Sequence, residues 1–259
     1  MTSASLSILL AHGVVQGALH AVACFLSILF DDLIYIDVVS GLSLSLSSLI
    51  YVIYHSKHAL VGLLLCLWSL RLSFYFVARR THLGKIRARC VPENTFSTYA
   101  FAISRCIWSL ALLITMHGTP TADIAIRIEL TLVALAALAF EGFADWQLLR
   151  FRREDKTHSL CTRGCWSLCR HPNMFGELLF QACLFLLVFE PSITIIPNSS
   201  ALIMTASGIL ILPGGIQTLE ERAKNAWGGT DSYRLYVQTT PLLFPYGSFI
   251  KQRTSRSAV

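Results

Sequence analysis

The chain has 259 residues, of which 54 % are hydrophobic and only 14 % charged; its mean hydropathy is +0.58 and its formal net charge +6. Soluble domains carry roughly 25 % charged residues, so this composition excludes an ordinary water-soluble globule and points to the membrane class. The positive charge does not indicate a nucleic-acid partner, because the bases are grouped beside hydrophobic runs, where basic residues mark the cytoplasmic side.

A helix needs about 20 residues to cross the hydrocarbon core, and about seven apolar spans meet or approach that length. In chain order they cover residues 6–30, 33–54, 59–78, 96–116, 124–146, 174–189 and 201–217. The second contains the alternating run GLSLSLSSL at 41–49. In a soluble protein that alternation would suggest a strand, but inside an apolar span it predicts a helix with small hydroxyl side chains, since open sheet edges are not tolerated in lipid. The expected fold is therefore all-α, a polytopic bundle of about seven transmembrane helices forming one membrane domain over 1–259. No basic start precedes the first span, so no cleavable signal peptide is expected.

The links between spans sort by charge. One basic segment holds Arg79, Arg80, Lys85, Arg87 and Arg89; a second holds Arg150, Arg152, Arg153, Lys156, Arg163 and Arg170. The C-terminal segment holds Arg222, Lys224, Arg234, Lys251, Arg253 and Arg256, so only four of the 21 Lys and Arg fall elsewhere. With seven spans all three segments share a face, which predicts a cytoplasmic C-terminus. The endoplasmic reticulum is the default location for such a chain.

Ionisable groups inside a bilayer are costly and mark function or pairing. Asp37, Arg71 and Arg105 lie in spans two, three and four; Arg127, Glu129, Glu141 and Asp145 lie in or near span five. Glu141 and Asp145 are four apart and share a helix face. Mutual pairing that locks the bundle is the competing reading of Asp37, Arg71, Glu141 and Asp145.

Span six opens with CRHPNMFGELLFQ at 169–181. Pro172 suits a first helical turn, where its missing N–H costs nothing. Asn173, Glu177 and Gln181 then recur every four residues as a polar stripe, with Arg170 and His171 at its mouth. A helix start flanked by Arg170 and Arg163 suits an anionic group. Glu220, Glu221, Lys224, Trp227, Tyr233 and Tyr236 form a second polar patch at the same predicted surface, with Trp227 also readable as an interface anchor. Cys161, Cys165 and Cys169 precede His171, but their spacing is a weak metal signal, and no metal is expected. Several of the other cysteines lie in apolar runs, where the residue acts as a small hydrophobe.

TRGCWSLCRHPNMFGE at 162–177 resembles the signature of a membrane family of unknown function, DUF1295, akin to the steroid 5-alpha reductase C-terminal domain. DLIYIDVVSG at 32–41, LWSLRLSFYFVAR at 67–79 and FEGFADWQLLRFRRE at 140–154 are similar to further segments of that family. So are GGIQTLEERA at 214–223 and SYRLYVQTTPLLFPY at 232–246, and the resemblance covers roughly 31–247. Met174 stands where the family usually has tyrosine, Val39-Ser40 where an aromatic pair ending in Trp is usual, and 81–95 lacks a usual acidic-then-Arg-Tyr segment.

The resemblance implies a membrane oxidoreductase that uses NADPH to reduce a carbon–carbon double bond in a steroid-like or other lipid enone. Carried over by motif, Arg150, Arg163, Arg170, His171, Asn173, Glu177, Glu221, Tyr233 and Tyr236 would surround the cofactor. Glu177, Tyr75 and Asp145 would serve catalysis, with Tyr54 and Tyr99 as further proton-donor candidates. Two other readings stand beside it: an S-adenosylmethionine-dependent methyltransferase, since isoprenylcysteine carboxyl methyltransferases share an Arg-His-Pro motif, a glutamate pair and a Tyr-x-x-Tyr, and a non-catalytic lipid-binding relative.

Overall fold

A computed structural model of the chain describes residues 3–54, 59–83, 95–115, 123–155, 159–188 and 215–245. Among them every regular element is helical. The helices are α1 (Ser3–Phe30), α2 (Ile34–Tyr54), α3 (Ala59–Leu83), α4 (Thr95–Thr115), α5 (Ile124–Glu154), α6 (Pro172–Leu187), α7 (Ile216–Trp227) and α8 (Asp231–Thr239), with a 3-10 turn at Gly164–Ser167 before α6. Six of the expected spans thus coincide with α1–α6. The seventh, 201–217, lies outside the described residues except for its last three, as does the 84–94 part of the divergent segment. Three stretches are long and apolar enough to cross a membrane, Gly13–Phe30, Ile34–Ile53 and Ala59–Leu83, while Ala102–Leu112 and Pro172–Leu187 are shorter apolar helical stretches. The chain is an integral membrane protein by this criterion.

It divides into two compact units, Met1–Ala134 with Gln181–Ala206, and Leu135–Phe180 with Ser207–Val259. In the first, α2 packs against α1, α3 and α4. Each helix turns an apolar face outward: Val14, Val22 and Phe25 of α1, Leu42 and Leu46 of α2, and Phe74 of α3 are exposed. Inward, the contacts are polar. The run GLSLSLSSL is helical, as expected, and its alternation places serines on two sides of α2. Ser43 donates to Gln16 Oε1 at 2.8 Å, and Gln16 Nε2 donates to Ser47 at 3.2 Å, tying α2 to α1. His20 bridges the Gln16 carbonyl and the Ser40 hydroxyl at 2.8 and 2.9 Å. Ser45 meets Ser69 of α3 at 2.7 Å. A Cβ on Gly41 would collide with the Ser73 hydroxyl, so glycine there allows α2 and α3 to touch.

Ion pairs also hold this unit. Asp37 accepts both Nε and Nη2 of Arg105, at 3.2 and 2.9 Å. Asp32, 3 % exposed, accepts Arg80 Nε from the end of α3 and the Ile34 N–H at the start of α2. The expectation that the intramembrane charges pair and lock the bundle therefore holds for Asp37. Arg71 is half-buried on α3.

Candidate functional site

The second unit is built where four motif segments meet. The lower part of α5 carries Phe140-Glu141-x-x-Ala144-Asp145-x-Gln147, and each of these residues has a counterpart in the segment that follows. The Phe140 ring stands edge-on to Phe175, with centroids 6.1 Å apart. A Cβ on Gly176 would lie 2.8 Å from the Glu141 Cβ and 3.0 Å from the Ala137 carbonyl oxygen, so only glycine lets α6 seat against α5. The Ala144 carbonyl accepts the Trp166 indole N–H at 3.1 Å. Asp145, 4 % exposed, accepts Asn173 Nδ2 at 3.0 Å. Gln147 Oε1 accepts the Cys165 backbone N–H at 3.0 Å, and Gly164, at φ +62, turns the chain under the same amide. Spacings of one, three and four along α5 place these groups on one side of the helix, and the loop before α6 is laid along that side.

α6 starts at Pro172, as the sequence predicts, and the Phe175 N–H already bonds to the His171 carbonyl at 3.1 Å. The backbone just before it is held from the other side. Arg170 N–H donates to the Pro241 carbonyl at 2.9 Å and His171 N–H to the Leu242 carbonyl at 3.2 Å. The chain after α8 thus forms a strap along Arg170 and His171. It is anchored by Leu243, which packs with Ile216, Met174, Phe175 and Leu178, and by Phe244, edge-on to Phe175 at 6.0 Å. Met174, the departure from the family's tyrosine, is therefore a packing residue in an apolar cluster.

With their backbone fixed on the strap, Arg170 and His171 turn their side chains to one carboxylate. Arg170 Nη1 donates to Glu220 Oε2, and His171 Nε2 donates to Glu220 Oε1 at 2.8 Å. His171 is 8 % exposed at its side chain, Arg170 14 % and Glu220 24 %, so the two donors are sunk deeper than the acid they share. Arg170 Nε is buried and has no hydrogen-bond partner among the described residues. A groove of about 270 Å³ runs past Arg170 along residues 237–242.

The tyrosines of α8 differ. Tyr236 is buried and donates to the Trp166 carbonyl at 2.6 Å, joining α8 to the loop before α6. Burial pushes its phenol above the usual range. Tyr233 is half-buried, and its phenol is raised by burial and then by the nearby Glu220 carboxylate, against Arg170. Thr230 caps α8, accepting the Tyr233 N–H at 3.3 Å. The loop cysteines Cys161, Cys165 and Cys169 are unpaired thiols. Burial raises all three, Cys169 to about 11.

Of the expected site residues, the structure brings together Asp145, Arg170, His171, Asn173, Tyr233 and Tyr236 in this unit, with Glu177 half-buried one turn along α6. Arg163 is exposed at the start of the 3-10 turn. Arg150 turns to its own helix, bonding Glu154 at 2.9 Å and lying 5.5 Å from the Trp146 ring centre. Glu221 is exposed, and its neighbour Glu220 takes the contacts. A signal for that choice was present: Glu220 lies four residues after Ile216, the buried anchor of α7, and so shares its face, whereas Glu221 is rotated about 100° away. Tyr75 belongs to the first unit, its ring 5.6 Å from Phe76, and Tyr99 is 52 % exposed. The Tyr54 side chain lies outside the described residues.

Residues 25–240 match the model of a family described as protein of unknown function (DUF1295). No curated protein and no solved structure gives a significant match.

Proposed function

The chain belongs to the DUF1295 family, and from that premise we propose that it is a membrane oxidoreductase that reduces a carbon–carbon double bond of a steroid-like or other lipid enone with NADPH. One observation carries this reading: Arg170 and His171, both sunk and both fixed by the strap, aim their donors at a single point that already holds an anionic group. Such a convergent, charge-assisted donor set is what a phosphate requires. The family resemblance to steroid 5-alpha reductases supplies the cofactor class.

Arg170 and His171 would hold the phosphate of NADPH, with Arg163 and Arg150 as outer cations. Asn173, oriented by Asp145, offers its remaining amide valences to the ring and sugar groups. Tyr233 and Glu221 would border the opening, while Tyr236 fixes the loop beneath it. When bound, NADPH supplies hydride to the electron-poor carbon of the conjugated double bond. The protein must then stabilise the developing enolate oxygen and deliver one proton to the neighbouring carbon; preorganised donors are the largest lever on that barrier. Glu177 and Asp145, both in the second unit, are the proposed carboxylates of that step. The lipid would enter from the bilayer. In this reading the full chain has seven spans, a cytoplasmic C-terminus and an endoplasmic reticulum location, consistent with the grouping of its bases.

The test is a comparison of cofactors on the detergent-solubilised protein. A ligand at about 100 times its Kd stabilises by about 2.7 kcal/mol, a shift of roughly 5–10 °C for a chain of this size. NADPH should raise the melting temperature by that order and S-adenosylmethionine should not. A shift with S-adenosylmethionine alone would make the protein a methyltransferase. No shift with either would favour the non-catalytic relative.

A further inference from the structure

This inference rests on the reading of Arg170 and His171 as a phosphate-holding pair and concerns the acid that faces them. A carboxylate shared by a guanidinium and an imidazole is most simply a permanent lock, but three features of Glu220 argue otherwise. First, it is not needed to place the two donors. The backbones of Arg170 and His171 are set by Pro241 and Leu242, on a strap whose anchors are apolar. Second, Glu220 is loosely held. It is the most exposed member of the triad, at 24 %, on a helix whose one buried residue is Ile216. Third, it is a single carboxylate divided between two donors, one oxygen going to Arg170 Nη1 and the other to His171 Nε2. A phosphate monoester, with three terminal oxygens, can accept from both donors and keep an oxygen free. Arg170 also lines the groove along 237–242.

We propose that Glu220 is an internal anion, a stand-in that occupies the Arg170–His171 donors and is displaced when a phosphate group of the nucleotide arrives. Its greater exposure makes it a selector. A group with less charge than a phosphate is the weaker competitor for these donors, whereas a dianionic phosphate has the stronger attraction. The arrangement also keeps the Arg170 guanidinium paired whenever no nucleotide is bound, which avoids the cost of leaving buried charge uncompensated.

The experiment is titration calorimetry of the full-length, detergent-solubilised chain with inorganic pyrophosphate and, separately, with NADPH. It compares the wild type with Glu220→Gln, which removes the charge at constant shape, and Glu220→Asp, which shortens the reach by one methylene. A competitor that occupies the site nine-tenths of the time weakens apparent affinity about tenfold, so both variants should bind pyrophosphate about tenfold tighter or more. Unchanged or weaker pyrophosphate binding in either folded variant overturns the proposal. If pyrophosphate tightens but NADPH binds to no variant, displacement stands and the NADPH reading falls. If NADPH binds the wild type and weakens in the variants, the NADPH reading stands and Glu220 is a lock.

Discussion

The two units arrange their buried polar groups differently. In the first, hydroxyls, an amide and an imidazole bond in pairs across helix contacts, from Gln16 with Ser43 and Ser47 to Ser45 with Ser69, while the buried hydroxyls of Ser27, Ser48 and Ser109 have no hydrogen-bond partner among the described residues. Its charges are paired within the same few helices, Asp37 with Arg105 and Asp32 with Arg80. In the second, polar groups gather at one junction of loop, helix start and strap. A guanidinium and an imidazole share one acid there. Side chains matched in pairs hold helices in register where lipid offers no hydrophobic drive between them. Donors that converge on one acid are placed where an anionic ligand can compete for them. Ionisable residues inside an apolar chain are therefore not equivalent markers of function, and their partners decide which kind each is.

The sharpest way to break this contrast is to remove one partner from each unit. Asp37→Ala strands Arg105 inside the first unit and should cost on the order of 3–5 kcal/mol of stability, read as a large fall in melting temperature with NADPH affinity of the folded fraction retained. Arg170→Ala should do the reverse. It removes charge-assisted bonds worth about 1.5–3 kcal/mol, so NADPH binding should weaken roughly 10- to 150-fold while the melting temperature without nucleotide changes little. Equal effects of both variants on both measurements would erase the distinction between the units.

A smaller effect sharpens the account of how the second unit is assembled. Gly176→Val places carbon where Glu141 and the Ala137 carbonyl already stand. Overpacking of this kind costs about 1–3 kcal/mol, and a melting temperature within 1 °C of wild type, on the order of error, would show that α5 and α6 do not meet there. The smallest effect concerns the loop thiols. Because burial raises Cys169 to about 11 from an ordinary 9.0, the folded thiol stays protonated when the unfolded one has ionised. Its contribution to stability is intact below pH 9.0 and is lost as pH rises through about 11. Iodoacetamide should accordingly leave Cys169 unlabelled at pH 8 in the folded protein and modify it readily after denaturation.

Much of the architecture was legible because hydropathy alone dictates helices in lipid. α1–α6 coincide with predicted spans, and Pro172 marks the start of α6. The alternation of GLSLSLSSL was readable as a helix, but not that its serines would divide between α1 and α3, since that depends on which neighbours α2 acquires. The spacing of Glu141 and Asp145 gave a shared face, yet their counterparts Gly176 and Asn173 lie some thirty residues away, and only the folded loop joins them. Glu220 and Glu221 are chemically identical in sequence, and the buried anchor Ile216 separates them once α7 is known to dock by that residue. The contacts of Arg150 to Glu154 and Trp146 join i,i+4 neighbours on α5, a local choice that composition does not reveal.

The central claim is that Arg170 and His171 receive the phosphate of a nicotinamide nucleotide. An electron cryomicroscopy structure of the protein with NADPH addresses it directly. The account predicts a phosphate within hydrogen-bonding distance of both Arg170 and His171, with the Glu220 carboxylate moved away from them. NADPH bound elsewhere in the protein, with Glu220 still on both side chains, would contradict it.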